Sequence, residues 1–340
     1  MALKWVDGFE SYSNLINYLQ YRYSTFTGPS ASFQPGRAIG NSLRFNGTTF
    51  ITPTFGNNIT WTVGFAFMNV NLAASNTWMP LVEIRDTTTS QITLSFNPST
   101  RLFRVQRGST VLGTGTFAIT TGYWYYIEIQ ATIDPTSGSV TSKVNTVSDV
   151  TFSGNTQVTA NTYANNIAFD GPAGIGIGGA YEIDDVYIND STGGSNTSFL
   201  GDMKVEAVTP IAGGTNTNWG VNLVNTPNFE CVQTLNDGLY IQSATSGQVD
   251  TYSTSKLNRI TGSIAGMQIV YWARNTDSTT HTIKSDLWIA GSGYINATAI
   301  TINDTAFKAY QQIWETDPST GVAFITSGIN ILELGVKLNS

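Results

Sequence analysis

Between residues 43 and 188 apolar side chains recur at every second position, the period of a strand with one face on a core. SLRF puts Leu43 and Phe45 on one side, and TWTVGFAF sets Trp61, Val63, Phe65 and Phe67 against Thr60, Thr62, Gly64 and Ala66. QITLSF turns through Asn97–Thr100 into RLFRV, with Ile92, Leu94 and Phe96 inward. YWYYIEIQATI runs into DPTSG at 134–138, a type I turn signature, and re-emerges as SVTSKV. The pattern in YEIDDVYI breaks phase between Ile183 and Val186, the mark of a β-bulge.

One stretch has a different period. Phe9, Tyr12, Ile16, Leu19 and Tyr23 follow helical spacing and predict one short N-terminal amphipathic helix or helical turn. From 190 to 200 the residues DSTGGSNTSFL read as a polar linker, after which a second strand series begins. Its clearest members are GLYIQS, GMQIVYWARN, HTIKSDLWIA, KAYQQIWETD and NILELGVKLNS. The last holds Leu332, Leu334, Val336 and Leu338 on one face, so the end of the chain is expected to be a paired strand. The fold class expected is all-β: two antiparallel β-sandwich or jelly-roll domains with one short N-terminal helix. The domains fall at 1–194 and 205–340, joined by a linker at 195–204.

Composition narrows the function. Charged residues make up 11% of the 340 positions, against about 25% in ordinary soluble domains, so the surface is polar but sparsely charged. A net charge of −7 without a basic patch argues against nucleic acid, which demands clustered Lys or Arg. No apolar stretch is long enough to span a bilayer and the N-terminus shows no secretory pattern, so synthesis in a cytoplasm without membrane insertion is expected. One cysteine and one histidine leave no intrachain disulfide and no Cys/His zinc set.

Candidate chemistry centres on Glu182, Asp184 and Asp185. Retaining glucanases on a jelly roll carry Glu-x-Asp-x-x-Glu on a strand, with two carboxyls about 5–5.5 Å apart. Glu182 and Asp184 match the first two positions, but the third is Tyr187. Without the second glutamate the acid/base partner is missing, and no catalytic residue is expected. The alternative for these acids is structural, facing away from the core or sitting at the bulge. A divalent cation site from Asp184, Asp185 and Asp190 stays open, calcium being the ion such oxygens suit.

His281 lies in a strand with no Gly-x-Ser-x-Gly elbow to serve, and Cys231 reads as a small buried apolar residue. GIGIGG at 174–179 lacks the Lys and helix of a phosphate loop. Trp78, Trp124 and Trp219 flank loops, where they would stack on sugar rings, fill an interface or lid a core.

SLRFNG, TWTVGFAF, YWYYIEIQATI with SVTSKVN, and EIDDVYIND follow in the order seen in concanavalin A-like and laminin G-like jelly rolls, which residues 4–194 therefore resemble. A narrower resemblance crosses the linker. IDDVYINDSTGGSNTSFLGDMKVEAVTP, NFECVQTLNDGLYI, GQVDTYSTSKL, WETDPSTGVAF and INILELGVK together resemble tailed-bacteriophage structural proteins that join a concanavalin A-like domain to a second β domain. That resemblance implies a virion component without enzymatic activity, made in the bacterial host cytoplasm and exposed on the particle as head decoration, spike or tail-associated protein. It implies phage capsid or tail proteins as partners and a homo-oligomer, with a trimer favoured. A carbohydrate-binding lectin or adhesin, calcium-dependent or not and directed at host-surface glycans, is the alternative.

Overall fold

The computed structural model describes all residues except 13–14, 28–29, 172–178, 259–261, 278 and 290–292. The chain is all-β, built from antiparallel sheets, and divides into two compact units, Met1–Val205 and Glu206–Ser340. Most of the GIGIGG stretch, residues 174–178, lies outside the described residues.

The first unit opens with β1 (Leu3–Asp7), β2 (Thr25–Thr27), β3 (Ser30–Pro35), β4 (Asn41–Asn46), β5 (Thr49–Ile51), β6 (Thr60–Asn69) and β7 (Met79–Asp86). It continues with β8 (Thr89–Asn97), β9 (Leu102–Arg107), β10 (Thr110–Thr114), β11 (Tyr125–Thr132), β12 (Gly138–Val144), β13 (Val147–Gly154), β14 (Asn166–Asp170) and β15 (Tyr181–Asp190). One sheet has the order β13-β12-β11-β6-β15-β4-β3, with β1 also on β15, and the other β10-β9-β8-β7-β14-β5-β2.

Aromatic contacts between the sheets define the core. Phe45 meets Phe50 at 5.2 Å, Phe65 meets Phe169 at 5.9 Å and Phe67 meets Phe96 at 5.4 Å, edge to face. These are the inward positions that the two-residue period marks. The turns also follow sequence chemistry: Asn97 Oδ1 accepts the amides of Ser99 and Thr100, and Asp134 Oδ1 those of Thr136 and Ser137.

One expectation takes a tighter form and one needs correction. The N-terminal helical stretch takes the form of two 3-10 helices, Glu10–Tyr12 and Ile16–Tyr21. Phe9, just before the first of them, takes a φ of 64° while its amide donates to Asp7 Oδ1. The apolar residues of the stretch reach the core, since Phe9, Tyr12 and Leu19 are fully buried. The correction concerns β6, expected to expose Thr62, Gly64 and Ala66; Thr62 and Ala66 are fully buried as well. The outer face of its sheet is covered.

The second unit carries β16 (Pro210–Thr217), β17 (Gly220–Val221), α1 (Asn228–Gln233), β18 (Ile241–Gln242), β19 (Val249–Thr254) and β20 (Met267–Ala273). After them come β21 (His281–Ile289), β22 (Gly293–Asn296), β23 (Ile300–Ile302), β24 (Lys308–Trp314), α2 (Thr326–Ile329) and β25 (Glu333–Leu338). A sheet of order β16-β19-β25-β21-β22, with β23 also on β21, packs against the β20–β24 ribbon through Leu287, Trp314, Met267, Ile269 and Leu334. The closing strand is paired on both sides, as its alternation predicts.

Candidate functional site

The acids of YEIDDVYIND meet the covered outer face of the first sheet, and every residue of β15 is buried. β15 pairs continuously with neither neighbour. On one side β4 serves Tyr181–Ile183 and β1 serves Val186–Asn189; on the other, the register with β6 slips between Asp184 and Tyr187. Asp185, at a φ of 50°, is in the bulge where the partners change.

Arg37 fills that break from the turn between β3 and β4. Its amide donates to Asp184 Oδ2 at 2.7 Å, its Nε to Asp185 Oδ2 at 2.9 Å and its remaining nitrogens to Asp202 Oδ1 and the Met203 carbonyl. The guanidinium also lies 5.2 Å from the Tyr126 ring, whose hydroxyl donates to the Asp185 carbonyl. Burial, then the adjacent Asp185, raises the Asp184 carboxyl to about 8. Glu10, wedged against Gly8 and Gly40, is pushed up to about 10 by burial and next by Asp184. Both carboxyls therefore hold their protons to higher pH than ordinary carboxyls do.

A second group lies one register step along. Glu128 on β11, Gly64 on β6 and Tyr187 on β15 form one row across three strands. Because Gly64 has no side chain, the Tyr187 ring lies over its backbone, and its hydroxyl donates to Glu128 Oε1 at 2.5 Å. Burial, then the Glu128 carboxylate, pushes the Tyr187 hydroxyl well above its ordinary range. Glu182 is held by Arg44 Nε at 2.7 Å and Ser42 Oγ at 3.1 Å.

Residues 198–205 form the cover. The Ser198 carbonyl accepts from Asn189, the Leu200 amide donates to Tyr187 Oη, the Gly201 amide to Glu128 Oε1 and the Val205 amide to Asp185 Oδ1. Gly201 has a φ of 82°, a left-handed conformation that glycine adopts without strain. Lys143 Nζ sits 3.9 Å from the Phe199 ring. The segment read as a linker is thus a strap bonded across β11 and β15, within the first unit.

The strand does not bring the three candidate metal ligands together. Asp190 is six positions beyond Asp184, about 15–20 Å along a strand, and is held by Lys4, Asn58 and Thr192. The oxygens of Asp184 and Asp185 point at N–H donors. Among the described residues no group of three or more His, Cys, Asp or Glu is arranged to hold a metal. The set Asp184, Asp185 and Asp190 therefore does not fit calcium.

The tryptophans separate too. Trp78 precedes β7 half-buried, with the Arg104 guanidinium 4.3 Å over its ring. Trp124 is half-buried immediately before β11. Trp219 belongs to the second unit, where its ring lids Ile283, Ile302 and Leu338 and its Nε1 donates to the Gln248 carbonyl. His281 bonds Asp277, and Cys231 is buried in α1.

Residues that the sequence did not single out complete the site: Arg37, Glu10, Glu128 and the strap. A signal existed for one of them, since Gly64 and Glu128 both sit at outward positions in strong strands.

No protein-family model matches the chain, and no curated protein matches it. Solved structures similar to it include Trypanosoma rangeli sialidase, 16% identical with a TM-score of 0.34, over 47% of this chain and 27% of that one. Domain 4 of AbnA, an extracellular arabinanase from Geobacillus stearothermophilus, is 15% identical with a TM-score of 0.37, over 56% and 94%. The cellulose-induced protein Cip1 is 13% identical with a TM-score of 0.37, over 55% and 90%. The match thus spans about a quarter of the sialidase's length.

Proposed function

We propose that this chain is a non-enzymatic structural protein of a tailed-phage virion, exposed on the particle and docked to capsid or tail proteins as a homo-oligomer. The observation that carries the non-enzymatic part is the closure of the acidic face: Glu128, Asp184 and Asp185 are at most 3% exposed and the strap or Arg37 bonds each of them. A glycosidase needs its two carboxyls open to a substrate. The virion assignment is supported by the motif order from IDDVYIND through INILELGVK, and sparse charge with a closed polar face suits a particle exterior. Mass spectrometry of purified particles tests it: this polypeptide should occur at a fixed ratio to the major capsid protein. Particles that lack it would overturn the assignment.

A lectin is the second reading, and one observation favours it. On the outer face of the second sheet Arg104 stacks on Trp78 and donates to Gln106 Oε1, which also accepts from Ser95. A flat aromatic beside fixed donors and acceptors suits a sugar ring. Since the aspartate set does not fit calcium, binding on a glycan array should survive a chelator and be lost in Trp78→Ala. A silent array would remove this reading.

A further inference from the structure

Lys4, Asn58 and Asp190 form a group that none of the roles above uses. Lys4 is the extra residue of a bulge in β1, where Leu3 pairs with Asn189 and Trp5 with Ile188. The bulge aims its side chain along the sheet toward the end of β15. There Lys4 Nζ lies 3.0 Å from Asp190 Oδ2, and it also bonds the Met1 carbonyl and Thr192 Oγ1. Asn58 reaches the same oxygen, with Nδ2 donating to Asp190 Oδ2 at 2.5 Å.

The framework is fixed on every side. Asn58 is bridged to Ala164 through both backbone groups, and its carbonyl accepts from Trp61 Nε1. Asp190 pairs with Trp61, its amide bonds the Ala2 carbonyl, and its side chain is fully buried while that of Lys4 is 25% exposed. Lys4 Nζ and the Asn58 carboxamide nitrogen can be no further apart than those two bonds laid end to end, with Cγ one covalent bond beyond that nitrogen.

We propose that Lys4 and Asn58 join in an intramolecular isopeptide cross-link, with Asp190 as the proton carrier. Lys4 Nζ, on a side chain one quarter exposed, first loses its ammonium proton to solvent; the neutral amine attacks Asn58 Cγ, the Nζ–Cγ bond forms, the Cγ–Nδ2 bond breaks and ammonia leaves. Asp190 takes a proton from Nζ and delivers it to the departing Nδ2, so the reaction needs no oxidant or co-reactant. Holding both partners on one carboxylate supplies the proximity and the proton transfer that an amine and an amide lack in solution. The product closes the chain from 4 to 58 into a ring, constraining the unfolded state as a disulfide would. The single cysteine offers no such constraint within the chain.

Intact mass spectrometry of the purified full chain, repeated after incubation at mildly alkaline pH, tests this. The expected result in at least one sample is a mass lower by one ammonia, with a branched peptide joining Lys4 to Asn58 in a digest. Lys4→Arg keeps the ion pair but should retain the full mass, as should Asn58→Ala and Asp190→Asn. Full mass in both wild-type samples, with Lys4 open to an amine-reactive label, would overturn the proposal. Ammonia loss without the branched peptide, as from a succinimide elsewhere, would overturn it equally.

Discussion

The hydroxyl of Tyr187 donates a 2.5 Å hydrogen bond to Oε1 of Glu128 on β11, passing over the backbone of Gly64 on the strand between them. That bond occupies the position where a glucanase strand would carry its second glutamate, turning a catalytic pattern into a buried brace. Tyr187→Phe should leave Glu128 short of a donor and Leu200 of an acceptor, lowering unfolding free energy by about 1–3 kcal/mol in denaturant titration. An unchanged midpoint would mean that the brace contributes nothing.

Gly64 is required by the ring above it. A Cβ there would sit 2.1 Å from Tyr187 Cε1, so Gly64→Ala should cost about 1–3 kcal/mol through overpacking. The penalty should shrink when Tyr187 is alanine, a coupling that a double-mutant cycle of denaturation midpoints reads directly.

The raised carboxyls at the bulge give the first unit an unusual pH dependence. Glu10 has a folded value of about 10 and Asp184 of about 8, both above their unfolded values. Their stabilising contribution is complete below the unfolded values and is lost as pH rises through the folded ones. Unfolding free energy should therefore fall between about pH 5 and pH 9, and Glu10→Gln should flatten the slope. Asp134 acts oppositely: amides of its own turn hold it at about 2, so its contribution fades only in strong acid. A wild-type profile that rises from pH 5 to 9 would contradict the raised carboxyls at the bulge.

Arg37 joins the bulge to the strap. Arg37→Met keeps the stem but leaves Asp185 without its cation, and breaking such a buried pair costs about 3–5 kcal/mol. Adding Asp185→Asn should restore part of the loss, measured by the same denaturation. Failure of the second change to help would place the damage elsewhere.

Much of the first unit was legible because a half-buried strand writes period two into its sequence. Phe45, Phe65, Phe67 and Phe96 all face the core as that period indicates, and the break between Ile183 and Val186 is the bulge. The closing of the acidic face was not legible. Ser, Thr, Gly and Asn at 190–200 give the composition of a flexible linker, but the strap is held by backbone amides at Leu200, Gly201 and Val205, and such bonds depend on no side-chain type. Arg37 was hidden for a related reason: it lies 147 residues from Asp184 in the chain, and only the pairing of β4 with β15 brings them together. The N-terminal stretch kept its apolar spacing, wound as two short 3-10 helices.

Amide hydrogen exchange at Leu200, Gly201 and Val205 tests the central claim most directly. The structure predicts slow exchange at all three, comparable to the amides of β15 beneath them, because each donates to a buried acceptor. Exchange at the rate of an open chain would mean that 198–205 is the flexible linker its composition suggests and that the acids beneath it are open to solvent.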